Sequence, residues 1–406
     1  MTSALSTEST KVRVLHFINL DVAINVHLRN QILDLKSKGC DVTIMCSPGS
    51  HISSDTVTKE GISVKMIEMT RQISPIKDLK TLFELYKYIR NKRFDIVHTH
   101  SLKPGLLGRI AAFLAGVPIR IHTIHGFRFH DNMSAVEKRF YILMERIANW
   151  FGHISLSQGK DDIDIAIREK ICKPGQIFYL GNGIDVSQLT TEMDSAAVQA
   201  KKRELGIAPT DKVVGIVGRQ TKIKGYFEFI KAAKIVVAKH PQIKLIMIGP
   251  SEEGNLDALN VQDLVAKHDL EDFVLHLGRR HDMRELYGIM DVMTLPSWLE
   301  GVPRVLIEAS MCGKPIVATD IPGNREVVEH ELTGLLVPVK DQEALANAIL
   351  DLLTNSEKAS QMGKQGRQRS LELFDERLYL KRLRQTYQDL LDNRLNQKGF
   401  VLDKQD

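Results

Sequence analysis

The 406-residue chain has few of the features that cross-link a small fold or anchor a protein in a membrane. Its four cysteines, Cys40, Cys46, Cys172 and Cys312, form no CxxC pair and no zinc-finger spacing, which argues against a disulfide or zinc scaffold. No window reaches the roughly 18 apolar residues of a membrane-spanning helix, and the first ten residues lack a signal-peptide pattern. We therefore expect a cytoplasmic protein with reduced thiols that is neither exported nor transmembrane.

Several signatures of common enzyme classes are also missing. The sequence contains no GxxxxGK[ST] loop, no complete GxGxxG, no nucleophile elbow and no HExxH helix. These absences argue against a P-loop enzyme, a serine hydrolase of the α/β type and a zinc protease. We expect no nucleic acid partner and no bound metal.

Charge is nearly balanced over the whole chain but not along it. The net charge is +5, and residues 51–150 hold 16 Lys and Arg against 9 Asp and Glu. Such a basic face could contact anionic lipid headgroups at the inner face of the plasma membrane or a phosphate-bearing substrate. The alternative is an ordinary solvated helix surface, because acidic residues are interspersed.

Short β-branched or aliphatic runs alternate with longer helical patterns, which is typical of parallel α/β architecture. At about 150 residues per domain, the length favours two domains. The predicted strands of the first half are 13–17, 42–46, 63–67, 96–99, 120–124 and 153–157. Those of the second half are 213–217, 244–248, 273–276, 292–295, 316–318 and 334–337.

The turn-rich segment Gly181–Asp185 separates the two sets of strands. We place the first domain at residues 1–185 and the second at 186–375, with a terminal helix in 376–406 that packs back on the first domain. Two doubly wound, Rossmann-like domains with their parallel sheets facing a cleft are the expected fold. Ligands of such sheets bind beyond the carboxyl ends of the strands.

The segment 295–308 carries two carboxylates after a predicted strand. Glu300 lies in the loop before a predicted helix, Pro303 suits the first turn of that helix, and Glu308 lies in its second turn. Carboxylates so placed could accept hydrogen bonds from hydroxyls at two points of one ligand, with the amides of the helix start holding an anion between them. The alternative is that Glu300 caps the helix and Glu308 is solvated.

A second segment, 213–225, leads from a buried strand into a loop with three cations. The planar guanidinium of Arg219 and the flexible ammonium of Lys224 could together neutralise a diphosphate without a metal. A lone cation after a strand is more often a surface residue. The diphosphate-binding interpretation of Arg219 and Lys224 is therefore supported only when the two carboxylates, Glu300 and Glu308, are considered with them.

A third segment places His125 in a loop after a predicted strand of the first domain. It belongs to a group of histidines, His98, His100, His122, His125 and His130. Three interpretations stay open: His125 contacts a substrate, the histidines are buried structural residues, or they bind a metal. No Asp or Glu stands among them at ligand spacing.

Together these residues resemble the retaining glycosyltransferases of family 4, which have the GT-B fold. The resemblance spans about residues 12–391, and its specific part is carboxyl-terminal. The motifs are Glu300-x7-Glu308, the loop 218–225, Asp320–Glu326 and Gly334–Pro338. The segments 98–109 and 122–127 resemble the bacterial branch that builds capsule, O-antigen or other lipid-linked oligosaccharides.

The resemblance implies a metal-independent transfer of a hexose or N-acetylhexosamine, with retention, from a UDP-sugar or related donor to a lipid-linked or saccharide acceptor. It implies that Arg219 and Lys224 bind the diphosphate and that Glu308 binds the ribose. Glu300 and the amides of Gly301, Val302 and Pro303 would hold the sugar and its phosphate. His125 would approach the sugar from the facing domain, and Gly278 and Arg279 would flank the base. Glu300, His125, Arg219 and Lys224 are the implied catalytic set.

One segment departs from the family pattern. Many members have a Gly-Gly loop after the first strand, whereas residues 19–25 read Asn-Leu-Asp-Val-Ala-Ile-Asn. This leaves the acceptor geometry undetermined. Two other functions remain as alternatives: a nucleotide-sugar epimerase of the same fold, and a non-catalytic nucleotide-sugar-binding subunit.

Overall fold

The structure is a computed structural model that describes residues 6–7, 10–21, 23–48, 52–70, 74–130, 133–189, 193–251 and 257–395. The chain divides into two compact units. Unit 1 comprises Met1–Gly181 and Tyr379–Asp406, and unit 2 comprises Asn182–Leu378. The boundary between the units lies between Gly181 and Asn182, and the chain returns to unit 1 at Tyr379.

Unit 1 is built on a seven-stranded parallel sheet of order β5-β4-β3-β6-β7-β8-β9. Its strands are β3 (Arg13–Leu20), β4 (Asp41–Ser47), β5 (Ser63–Met66), β6 (Ile96–His100), β7 (Ile119–Ile124), β8 (Ile154–Ser157) and β9 (Ile177–Tyr179). A separate antiparallel pair joins β1 (Ser6–Thr7) to β2 (Thr10–Lys11). The central strands β6, β7 and β8 are almost wholly buried, as expected where helices cover both faces.

Helices cover the sheet of unit 1. They are α1 (Arg29–Ser37), α2 (Ile52–Lys59), α3 (Pro75–Lys92), α4 (Leu102–Leu114), α5 (Ala135–Trp150), α6 (Lys160–Arg168) and α15 (Glu376–Leu395). Local sequence explains their starts. Pro75 opens α3, and the Ser134 hydroxyl caps α5 by accepting from the Glu137 amide while donating to the Glu137 carboxylate.

Unit 2 holds a six-stranded parallel sheet of order β12-β11-β10-β13-β14-β15. Its strands are β10 (Lys212–Val217), β11 (Ile243–Ile248), β12 (Val274–Gly278), β13 (Val292–Leu295), β14 (Ile316–Thr319) and β15 (Gly334–Val337). Its helices are α7 (Ser195–Glu204), α8 (Tyr226–Lys239), α9 (Val261–Lys267), α10 (Met283–Ile289), α11 (Arg304–Met311), α12 (Pro322–Val327), α13 (Gln342–Thr354) and α14 (Ser356–Leu373).

The terminal helix α15 packs into the core of unit 1. Its buried side chains Tyr379, Leu383, Tyr387, Leu390 and Leu391 belong to one apolar cluster with residues of β3, β4, β6, β7 and α1. Helix α15 follows unit 2 along the chain and thus completes the core of unit 1.

The predicted fold class is confirmed, and every predicted strand is present. Three details differ. Strand β9 and the β1–β2 pair are not predicted from the sequence, because strands of two or three residues are too short to show a period. The apolar pattern of residues 26–37 predicts one α-helix, whereas the structure has a π-helical turn, Ile24–Leu28, before α1. Within the described residues, no helix is both long and apolar enough to cross a bilayer.

Candidate active site

The candidate residues of unit 2 lie at one edge of its sheet. Four adjacent strands, β12, β11, β10 and β13, run parallel and end at Gly278, Ile248, Val217 and Leu295. The loops that follow β10, β12 and β13 carry the predicted donor-binding residues. Parallel strands therefore bring segments almost 90 residues apart in sequence to the same edge.

The backbone of the loop after β10 passes very close to the backbone of the loop after β13. Lys222–Lys224 form a single 3₁₀ turn, which ends at Gly225 in the left-handed region with φ of 74°. A Cβ on Gly225 would lie 2.0 Å from the carbonyl oxygen of Pro296. Only glycine allows this loop to pack against the loop after β13. Arg219, at the start of the loop, is exposed.

Lys224 and Glu300 form an ion pair between these two loops. The Lys224 ammonium donates to Oε1 of Glu300 at 2.5 Å, and both side chains are largely buried. The hydroxyl of Ser297 donates to the same oxygen at 2.7 Å. Glu300 makes no capping bond to α11, so the alternative that it is a helix cap is wrong.

Glu308 lies in the second turn of α11 and is not a solvated residue. The phenol of Tyr287, on α10, donates to its Oε2 at 3.0 Å. Burial raises the pKa of Glu308, while the Arg304 guanidinium and the Tyr287 hydrogen bond act in the opposite direction. Arg304 is itself held by a bond of 3.0 Å from its guanidinium to the carbonyl of Gly183.

The short segment between the two carboxylates is tightly packed. A Cβ on Gly323, at the start of α12, would meet the carbonyl oxygen of Gly301 at 1.5 Å. The amide of Asn182 donates to the carbonyl of Val302 at 3.1 Å. Pro303 is the residue before the first turn of α11 rather than in it. Because proline has no N–H, the expected amide contact at Pro303 is wrong, and only Gly301 and Val302 can offer one.

Gly278 and Arg279 occupy the end of the edge strand β12. Gly278 has φ of 61°, and its carbonyl accepts from the Gly249 amide at 2.8 Å, which ties the ends of β11 and β12 together. The side chain of Arg279 is exposed. Within the described part of the chain, no hydrogen bond or ion pair joins Gly278 or Arg279 to Lys224, Glu300 or Glu308, so their assignment to the base stays a prediction.

His125 lies in unit 1, directly after β7. Its Nδ1 is 3.0 Å from Oε1 of Gln158, and its Nε2 is 3.1 Å from Nδ1 of His100. Burial lowers the pKa of His125 to about 4, so the ring is neutral near pH 7. Both ring nitrogens are thus already in hydrogen bonds within unit 1, and a ligand contact through either nitrogen has to replace or share one of them.

The histidines of β3 and β6 are buried. His16, His98 and His100 have ligand atoms within 4.8 Å of one another. The rings of His98 and His100 are stacked, however, with centroids 4.4 Å apart and planes inclined by 26°, and the ring of His16 is tilted by 38° to that of His98. Imidazole lone pairs lie in the ring plane, so the stacked rings of His98 and His100 do not direct their lone pairs toward one ion, and Nδ1 of His16 already bonds Nε2 of His100 at 3.0 Å. This geometry favours the buried structural interpretation over the metal site.

Two residues of the candidate site were missed from the sequence. Ser297 fixes Glu300, and Tyr287 fixes Glu308. Ser297 lies three residues before Glu300, in the same strand-to-helix loop, and that proximity could have suggested it. Tyr287 lies 21 residues before Glu308 on another helix, so sequence spacing gave no signal.

Comparisons with known proteins show the family of the chain. Residues 198–369 match the family described as glycosyl transferases group 1, and residues 13–150 match the family described as glycosyl transferase 4-like. The chain belongs to the group 1 glycosyltransferases and is a transferase.

The chain is also similar to individual proteins, among them the following three. It is 30% identical to an Escherichia coli UDP-Gal:alpha-D-GlcNAc-diphosphoundecaprenol alpha-1,3-galactosyltransferase, over 89% of this chain and 92% of that protein. It is 28% identical to the capsular polysaccharide biosynthesis glycosyltransferase CapM of Staphylococcus aureus, over 93% and 97%. The solved Anabaena protein Alr3699/HepE, in complex with UDP and glucose, is 20% identical with a TM-score of 0.77, over 92% and 99%. That last likeness confirms the GT-B fold.

Proposed function

We propose that this protein transfers a hexose or N-acetylhexosamine, with retention and without a metal, from a UDP-sugar to a lipid-linked or saccharide acceptor in the synthesis of a surface polysaccharide. The observation that carries the proposal is the Lys224–Glu300 ion pair at the carboxyl edge of the unit 2 sheet. The names of the Escherichia coli and Staphylococcus aureus relatives support the donor and the pathway class.

Each side chain has a role that its surroundings support. Lys224, held by Glu300, and exposed Arg219 supply positive charge for a diphosphate, which a divalent metal supplies in other transferases. Glu308, oriented by Tyr287, accepts hydrogen bonds from the ribose hydroxyls. Glu300 with the amides of Gly301 and Val302 holds the sugar and its phosphate.

The chemical step then depends on charge and alignment. As the bond between the sugar and the diphosphate breaks, negative charge grows on the leaving phosphate, and cations already in place stabilise it. The departing diphosphate takes the proton of the acceptor hydroxyl as that oxygen attacks on the same face. His125, kept neutral, is proposed to contact the donor sugar without placing a positive charge beside the electron-poor sugar ring.

A labelled-donor assay tests this function. Radiolabelled UDP- and GDP-sugars are incubated with the protein and membrane extract, and we expect label in lipid together with release of UDP. Lys224→Ala and Glu308→Ala should abolish transfer under conditions in which circular dichroism shows that both variants are folded. The exposed Lys222, in the same turn, provides the matched control Lys222→Ala, which should retain activity. Full turnover by Lys224→Ala would refute the assignment.

The same preparation tests the finer points. Chelation with EDTA should leave the rate unchanged, and NMR of the product should give the anomeric configuration of the donor. Deuterium uptake from solvent into the sugar, without any acceptor, would indicate an epimerase instead. Binding of UDP with no transfer to any acceptor would indicate a non-catalytic subunit.

We also propose that unit 1 contacts an anionic membrane surface through one face of α3. On this face Ile76, Leu79 and Phe83 are 86%, 68% and 64% exposed. Exposed cations lie on the same face, at Lys80, Lys87 and Arg90, while Thr81, Leu85 and Ile89 on the opposite face are buried. Apolar side chains interleaved with cations suit the interface of an anionic bilayer.

Co-sedimentation with liposomes tests this surface. The wild type should pellet with vesicles rich in anionic lipid at low salt and less so at high salt. The triple variant Ile76→Ser, Leu79→Ser, Phe83→Ser should remain in the supernatant. The variant Phe227→Ser, which changes an exposed apolar residue of unit 2, should pellet like the wild type. Equal pelleting of the triple variant would refute the proposal.

A further inference from the structure

A chain of hydrogen bonds runs from His125 into the core of unit 1. From His125 it passes to His100 at 3.1 Å, and from Nε2 of His100 to Nδ1 of His16 at 3.0 Å. Nε2 of His16 is 3.4 Å from the Tyr387 hydroxyl, which lies 2.8 Å from Nδ1 of His98. The chain ends where Nε2 of His98 meets the hydroxyl of Thr123 at 2.7 Å.

Each ring in this chain uses both of its nitrogens. A neutral imidazole has one N–H donor and one acceptor nitrogen, so each ring donates on one side and accepts on the other. Burial keeps the rings neutral: it lowers the pKa of His16 to about 3, and the pKa values of His98 and His100 lie well below 6.5. All the donors must therefore point in the same direction along the chain.

Gln158 fixes that direction. The side chain of Gln158 is buried, and its amide oxygen can only accept, so Nδ1 of His125 carries the proton. Nε2 of His125 then accepts from Nδ1–H of His100, whose Nε2 accepts from Nδ1–H of His16. Tyr387 donates to His16 and accepts from Nδ1–H of His98, and Thr123 donates to His98. Every polar atom of the chain is satisfied in this one arrangement.

We propose that Gln158, His100 and His16 are positioning residues that hold His125 as a single neutral tautomer, protonated at Nδ1, in the orientation that transfer requires. This inference rests on the role proposed above for His125. The inference adds that residues of unit 1 decide which nitrogen of His125 carries the proton. The hydrogen bonds that decide it extend from Gln158 to Tyr387 on α15.

The first test reads the tautomers without any reference to activity. The full-length protein is labelled with ¹⁵N in its histidine rings, and each ring is assigned by substitution. At pH 7.5 we expect His125, His100, His16 and His98 to show a protonated Nδ1 and an unprotonated Nε2. A protonated Nε2 in any of the four rings, or a mixture of tautomers, would overturn the proposal.

The second test asks whether the donor of His100 matters for transfer. In His100→Asn the side-chain amide can replace Nδ1–H, although the smaller residue packs less well. In His100→Leu the donor is lost and the volume is better kept. We expect kcat to fall about tenfold in His100→Leu, the effect of one lost buried hydrogen bond, and to stay within about threefold in His100→Asn. Equal kcat in the two variants would overturn the proposal.

A neighbouring histidine supplies the control. His122 is equally buried on β7, and its Nδ1 lies 2.9 Å from the hydroxyl of Thr99. It takes no part in the chain of hydrogen bonds that leads to His125. The pair His122→Asn and His122→Leu should differ from each other in stability but not in kcat. A difference in kcat like that at position 100 would show that packing alone explains the effect and would overturn the proposal.

The outcome is separable from that of the proposed function. If His125→Ala keeps full transfer, the role proposed for His125 fails, whatever the tautomers are. If transfer is lost in His125→Ala but the rings are mixed tautomers, the proposed role stands and the positioning chain fails. Stoichiometric zinc binding that perturbs the same ring signals would likewise overturn the chain and restore the metal interpretation.

Discussion

At the scale of single residues, the candidate site depends on partners that fix each charged group. Glu300 accepts from Lys224 and Ser297, and Glu308 accepts from Tyr287. A side chain held in place before the ligand arrives loses less conformational freedom on binding. The variants that test this are therefore those that remove a partner and leave the charged group itself.

Tyr287→Phe removes one such partner. We expect UDP to bind about fivefold to tenfold more weakly, the loss of about one hydrogen bond, because Glu308 is no longer oriented. Isothermal titration calorimetry with UDP measures the affinity. The change deletes one oxygen and leaves the ring in place, so the melting temperature should change little. An unchanged affinity would contradict the role of Tyr287.

Gly225→Ala tests the close approach that forms the site. The alanine Cβ would meet the carbonyl oxygen of Pro296 at 2.0 Å, in addition to the strain of a positive φ. Gly313 has a similar φ of 71° with open space around its Cβ, so Gly313→Ala carries the strain alone.

We expect Gly313→Ala to lower the free energy of unfolding by about 1 kcal/mol and Gly225→Ala to lower it by more, roughly 2–4 kcal/mol. Only Gly225→Ala should also weaken UDP binding. Chemical denaturation and calorimetry measure the two effects. An equal decrease in the free energy of unfolding in both variants would contradict the prediction, because it would mean that the loops after β10 and β13 can move apart at little energetic cost.

At the scale of elements, α15 belongs to the core of a unit from which it is far removed along the chain. It follows the last helix of unit 2 along the chain, yet its apolar face is part of the unit 1 core. Tyr379 donates to Gln31, and Arg384 pairs with Asp34 at 2.6 Å, so polar contacts with α1 accompany the apolar ones.

Leu383→Ala tests the contribution of α15. Leu383 is fully buried, and its truncation should lower the free energy of unfolding of unit 1 by about 2–5 kcal/mol. The same substitution at Leu378, in the same helix but 38% exposed, should cost far less. Hydrogen exchange of the full-length protein can locate the loss, which we expect in unit 1. A loss confined to unit 2 would contradict this role.

At the scale of the whole molecule, the two units should differ in their sensitivity to acid. Four histidines of unit 1, His16, His98, His100 and His122, are fully or almost fully buried, and burial lowers the pKa of each below 6.5. The described histidines of unit 2 are partly or fully exposed. Below pH 6.5 the unfolded state of unit 1 binds more protons than the folded state, so its stability falls as the pH falls.

The loss of stability begins near pH 6.5, the pKa of a histidine in the unfolded state, and continues down to the pKa values of the folded state. For His16 the folded-state pKa is about 3. Between pH 7.5 and 5.5 the His16 ring alone should lower the free energy of unfolding by about 1 kcal/mol, and the buried rings of His98, His100 and His122 add losses of the same sign. Hydrogen exchange at pH 7.5 and 5.5, corrected for the intrinsic rate at each pH, should reveal weaker protection in unit 1 than in unit 2 at the lower pH. Equal loss in the two units would contradict this prediction.

Much of the fold could be read from the sequence because its signals are local. Buried parallel strands are continuous apolar runs, such as Val213–Val217 and Val292–Leu295, and helix starts carry their own capping residues. The site was located for a related reason. Glu300 and Lys224 both follow strands of one parallel sheet, and the ends of such strands meet at one edge.

Other features could not be read in this way, since they depend on segments that meet only after folding. Tyr287 against Glu308, and the Cβ clash that requires glycine at position 225, are contacts between separate loops and helices. The two sequence errors at Pro303 have local causes: the helix begins one residue later than expected, and the residue has no amide proton.

The sequence by itself determined the α/β class, the two sets of strands and the charged residues at the strand ends, because periodicity and residue chemistry are properties of the chain. Only the tertiary structure decided which of those groups touch. It joined Lys224 to Glu300 and arranged four histidines from β3, β6 and the end of β7 into one hydrogen-bonded series. Such contacts depend on side-chain directions and on distances of about 3 Å, which a one-dimensional pattern does not encode.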